Sequence, residues 1–82
     1  MKPYKLFARI QTSQQNVAFR DYVRLLEALG FELVRHDGSG HRVYAHPNVP
    51  EVLSVQDRNG EAKPYQIKQL LSLVDAYDLR IK

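Results

Sequence analysis

Cysteine and tryptophan are absent from this chain of 82 residues, and methionine occurs once. Without cysteine there are no disulfides and no thiolate metal sites, which accords with a reducing compartment. No apolar run approaches the roughly 20 residues that a membrane-spanning helix needs. Met1 to Phe7 is not followed by a long apolar core, so no secretory leader is expected. The chain also lacks a glycine loop of the P-loop or dinucleotide type, a His-Glu-x-x-His motif and an acidic cluster, so no metal and no cofactor is expected. Repeats, low-complexity segments and linkers are missing too. One small domain spanning 1–82 is the expectation, with 1–15 as a short N-terminal extension able to form a helical turn or two. A chain of this size buries only about 60% of the surface its unfolded form exposes, so the core is thin. The formal charge of +3 and pI of 9.4 permit a nucleic-acid partner without requiring one.

What the sequence does contain is organised around Gly38-Ser39-Gly40-His41-Arg42-Val43-Tyr44-Ala45-His46. A flexible turn leads into a strand-like alternation carrying two histidines, an arginine and a tyrosine. A histidine at such a junction has its backbone held by the strand and its ring near an open end. Imidazole ordinarily titrates near neutral pH, so that position suits proton transfer. A plain β-hairpin turn with a polar exposed face is the more ordinary reading of this stretch taken alone.

Phe19, Tyr22, Val23, Leu26 and Leu29 form an apolar stripe at three- and four-residue steps, ahead of Gly30. With Asn16 as a candidate N-cap, this predicts a helix over 17–29. Strands are predicted over 31–36, 41–46 and 51–56. The turn 37–40, the two prolines at 47 and 50 and the Asn59-Gly60 dipeptide bound them. Pro64 opens a last helix over 64–77, whose stripe runs through Leu70, Leu71 and Val74. Residues 79–82 are expected to pack loosely. A three-stranded sheet needs one face covered, and the two helices are the cover available. The fold class is therefore α+β: a two-layer helix–three-stranded antiparallel sheet–helix arrangement of the double-stranded-RNA-binding type. The packing residues expected are Phe19, Val23, Leu26, Leu70 and Val74.

His41 and His46 stand five residues apart on one strand, so they point to opposite faces, about 17 Å apart at roughly 3.4 Å per residue, and share no metal. His36 and His41 flank one turn with Asp37, too few ligands for a dedicated metal site. Arg35, Arg42, Arg58, Lys63 and Lys68 are the cations available to a phosphate backbone. Arg42 follows His41, and Arg35 is expected opposite Arg42 across the hairpin. Tyr44 is a candidate stacking surface for an unpaired base. Alternation puts His41 on the side of Val43 and Ala45, and leaves open which side faces the core.

Three segments together resemble the HicA (YcfA-like) toxin family of bacterial toxin–antitoxin systems, over about residues 16–80. They are Phe19 to Arg35, the Gly-Ser-Gly-His-Arg-Val-Tyr-Ala-His-Pro run, and Ala62-Lys63-Pro64-Tyr65-Gln66-Ile67-Lys68-Gln69-Leu70-Leu71. The resemblance implies the same helix–three strands–helix fold and a metal-independent ribonuclease acting on single-stranded mRNA in the cytoplasm. It also implies a HicB-type antitoxin that silences the enzyme. The family motif is usually Gly-Ser-His; here Ser39-Gly40-His41 puts a glycine where the family often has serine. Spacing to Tyr44 and His46-Pro47 gives His41 the catalytic place, with Arg35, Ser39, Arg42, Tyr44 and Lys68 as substrate-binding candidates. Two other readings stand beside this one: an RNA-binding module without catalysis, and a protein-interaction domain using the uncovered sheet face.

Overall fold

The computed structural model describes residues 1–38 and 40–82. Its elements are α1 (Pro3–Ile10), α2 (Phe19–Ala28), β1 (Glu32–His36), β2 (His41–His46), β3 (Val49–Gln56) and α3 (Pro64–Tyr77). The strands form one antiparallel sheet in the order β1-β2-β3. The α+β expectation holds, with α1 added in front. Pro3 opens α1, and Leu6 and Ile10 bury one side of it in the common core, whereas Tyr4 is exposed.

Helix α2 begins two residues later than the stripe suggests. Val17 and Ala18 are held extended against the β3–α3 connection: the Ala62 N–H donates to the Val17 carbonyl, and Phe19 N–H donates to the Gly60 carbonyl. Asn16 adopts a left-handed conformation (φ 57°) rather than capping the helix. The C-terminal end is as expected. Gly30 takes φ +103°, with Gly30 N–H on the Glu27 carbonyl and Phe31 N–H on the Leu26 carbonyl, which satisfies the last turn. In α3, Pro64 occupies the first turn and Gln66 Oε1 accepts the Lys63 N–H at 3.4 Å. The two helices are joined by a buried hydrogen bond, Tyr22 hydroxyl to the Gln66 carbonyl at 3.1 Å.

The covered face of the sheet is the one carrying Tyr44 and His46, both buried. The cross-strand neighbours of Arg42 and Tyr44 are Val55 and Leu53, both fully buried. Phe19, Leu26 and Leu70 enter this core as expected. Val23 and Val74 are only partly buried, and Leu25 and Leu73 are buried instead. Strand β3 begins at Val49 and includes Pro50, where a loop is expected. As an edge strand with a register shift between Tyr44 and His46, it tolerates the missing N–H. The C-terminal segment does not lie loose: Leu79 is buried, and Lys82 N–H donates to the Ala28 carbonyl at 2.9 Å.

Candidate active site

His41 is the first residue of β2 and is half-buried. Its N–H donates to Asp37 Oδ1 at 3.3 Å, and its carbonyl accepts the Asp37 N–H at 3.1 Å, so Asp37 ties the turn shut on the strand that carries the imidazole. Because Arg42, Tyr44 and His46 point toward the helices, His41, Val43 and Ala45 point to the uncovered face. The side of the sheet that alternation left undetermined is thus fixed: His41 need not escape from the core, because it was never directed into it.

A bulge decides which arginine accompanies it. Leu33 pairs with Tyr44 but Arg35 pairs with Val43, so Val34 is an extra residue on β1. Regular pairing would have set Arg35 opposite Arg42, as expected from the sequence. With the bulge, Arg35 shares the open face with His41 and lies diagonally across from it, a separation that long side chains span. His36 takes the place opposite Arg42, on the helix side.

Arg42 therefore does not stand beside the His41 imidazole. Its guanidinium lies 5.2 Å from the centroid of the Phe19 ring, on the other side of the sheet. The stacking role expected of Tyr44 is corrected. At 1% exposed it is one of the largest buried side chains, and its ring has no face to offer a base. Lys68 is exposed on α3. Ser39 lies outside the described residues.

One cation is nearer the site than its sequence position suggests. Lys63 Nζ lies 3.4 Å from Oε1 of Gln56, and Gln56 is the cross-strand partner of His41. Only the β2–β3 register reveals this link. The same ammonium lies 5.8 Å from the centroid of the Tyr65 ring, which is well exposed.

His46 is structural. Its Nδ1 accepts the Asn48 N–H at 3.0 Å, so the proton sits on Nε2, which donates to the Leu29 carbonyl at 3.0 Å. The ring meets Phe31 edge-on at 5.1 Å. Both nitrogens are engaged, and the residue is 6% exposed. Among the described residues no group of three or more His, Cys, Asp or Glu is placed to hold a metal ion. No helix there is long and apolar enough to cross a membrane.

Residues 19–76 match the family described as the HicA toxin of bacterial toxin–antitoxin systems. The protein belongs to the HicA toxin family. No curated protein and no solved structure matches it significantly. Membership makes this HicA protein the toxin member of a pair and implies an antitoxin as its partner. The matched span runs from the first residue of α2 almost to the end of α3 and contains the whole sheet. Helix α1 of this HicA chain lies ahead of the match, though Leu6 and Ile10 pack into the same core.

Proposed function

We propose that this HicA protein is a metal-independent endoribonuclease that cuts single-stranded mRNA in the cytoplasm, and that the chain 1–82 acts as one HicA-like domain. The observation that carries the reading is the placement of an imidazole and a guanidinium, His41 and Arg35, diagonally across the hairpin on the sheet face turned away from the helices. RNA holds its own nucleophile, the 2′-hydroxyl beside each phosphodiester. His41 removes the 2′ proton, and the oxygen attacks phosphorus. The P–O bond to the 5′-oxygen breaks, and that oxygen takes a proton from water as it leaves. The products are a 2′,3′-cyclic phosphate and a free 5′-hydroxyl. One positioned imidazole contributes about 10²–10⁴-fold. Arg35 is suited to stabilise the charge that develops on the phosphoryl oxygens.

Ser39 is proposed as a contact because it neighbours Gly40-His41 in sequence. Arg42 and Lys68 are proposed as phosphate contacts away from the reacting atoms. The implied antitoxin is proposed to be of the HicB type and to be acidic. It would silence the enzyme by covering the His41 end of the open face.

The test compares wild type with His41→Ala, each checked for fold by circular dichroism, on an RNA and on the same oligonucleotide with a 2′-deoxy sugar at the cut site. Cleavage should require both His41 and the 2′-hydroxyl. Equal cutting by His41→Ala, or of the deoxy substrate, would overturn the mechanism. An antitoxin complex that leaves His41 accessible and RNA cleavage intact would overturn the silencing model.

A further inference from the structure

On the helix side of the sheet, one side of α2, the start of β2 and the turn after β3 line an open groove of about 670 Å³. Its cationic lining is Arg20, Arg24 and Arg42. Arg20 and Arg24 stand one turn apart on α2, which sets their β-carbons about 5–6 Å from each other on the same side of the helix. Arg42, half-buried, reaches in from β2 with its guanidinium over Phe19. Among the described residues, none of these three guanidiniums is in an ion pair. Two acids also line the groove, Glu27 and Asp57. Asp57 is engaged in its own turn, where Oδ1 accepts the Gly60 N–H at 2.6 Å. Three guanidiniums outside any ion pair thus face one acid that has no ion-pair partner and one that is held in a turn. Phe19 and Val23 give the groove an apolar floor.

We infer that this groove binds the phosphodiester backbone of the RNA strand, as a second contact area separate from the His41 face. The inference rests on the ribonuclease reading for the identity of the strand. Guanidinium geometry matches phosphate oxygens bidentately, and arginines without carboxylate partners are available to make those bonds. The apolar floor suits the sugar and base of the bound unit better than it suits an acidic peptide. The groove and the catalytic face meet at the same end of the sheet, because Arg42 and His41 are consecutive residues pointing to opposite sides of β2. A strand held in the groove and turning around that end would be delivered to His41. The groove would thereby govern substrate capture, while the open face performs the chemistry.

The probe is a labelled 2′-O-methyl oligouridylate of about 10 nucleotides, long enough to fill such a site and unable to undergo 2′-hydroxyl attack. Its binding is read by fluorescence anisotropy against salt, with the intact chain carrying Arg20→Ala and Arg24→Ala together. Both arginines are exposed on α2, so the fold is retained. Affinity should fall about tenfold or more at low salt. The slope of log affinity against log salt should flatten by about 1.4, at about 0.7 for each phosphate of a single strand that is no longer neutralised. The Arg20→Lys, Arg24→Lys variant keeps both charges and should keep most of the slope. Unchanged affinity and slope in the double alanine variant would overturn the inference. If that variant instead loses only affinity for the antitoxin, the groove is a protein-docking site and the inference is equally overturned. Because the probe cannot be cleaved, this result is independent of whether His41 is catalytic. Failure of the groove and failure of the nuclease reading are thus separately visible.

Discussion

Arg35 lies diagonal to His41 on the uncovered face of the sheet, and it does so because Val34 is an extra residue in β1. A single bulge moves a guanidinium from one side of the sheet to the other. Arg42, next to His41 in sequence, is left on the side of Phe19. Two arginines that look interchangeable near one histidine thus stand on opposite sides of the sheet. Each assignment can be measured.

Arg35→Ala should lower kcat for RNA cleavage by about 10²-fold, the scale for losing one donor to a developing oxyanion. Arg42→Ala should act mainly on KM, because its guanidinium is across the sheet from the reacting atoms. Steady-state kinetics on one RNA substrate distinguishes the two. Equal kcat losses in both variants would contradict the separation.

His41→Ala should reduce cleavage by at least the 10²–10⁴-fold that a positioned general base supplies. Thermal stability should change by less than about 1 kcal/mol, since His41 is half-buried on the open face and belongs to no part of the buried core. Melting curves alongside cleavage rates check both halves. A large loss of stability would mean that the imidazole is a packing group.

His46 and Gly30 should behave in the opposite way. A β-carbon at Gly30 would stand 2.9 Å from His46 Nε2 and 3.0 Å from Lys82 Cε, at a φ of +103° that side chains avoid. Gly30→Ala is therefore expected to cost about 1–3 kcal/mol in denaturant unfolding. His46→Phe keeps the volume but strands the Leu29 carbonyl and the Asn48 N–H, and should cost about 2–4 kcal/mol. The folded fraction of each variant should retain cleavage by His41.

Alkaline stability should report on Tyr22. Burial raises its hydroxyl well above the ordinary tyrosine range, so the folded state holds the proton after the unfolded chain has released it. For a raised pKa the contribution is fully present below the unfolded value, near 10, and is lost as pH rises from there through the folded value. Wild type should lose up to about 1.4 kcal/mol per pH unit more than Tyr22→Phe across that window. At neutral pH Tyr22→Phe should cost about 1 kcal/mol, because the bond to the Gln66 carbonyl is gone. Urea unfolding of both proteins at pH 7 and above pH 10 tests the sign.

The sequence by itself determined the helices, the meander and the turns, because those depend on local pattern. The stripe from Phe19 to Leu29, the glycine after it, the Asn59-Gly60 turn and Pro64 each act within a few residues. The family was legible for the same reason, as segments in a fixed order. Only the tertiary structure decided the faces. His41, Val43 and Ala45 alternate with Arg42, Tyr44 and His46, and either set qualifies as a buried one on period alone. The choice went to the second set because Tyr44 and His46 fill the space under α2 and α3. The His46 nitrogens find the Leu29 carbonyl and the Asn48 N–H there, so the imidazole is buried with both its polar atoms satisfied. The bulge at Val34 leaves no mark in the local pattern of β1, whose residues are all exposed. It exists only in the register of the pairing with β2, and that register across the hairpin brings Arg35 to the face of His41.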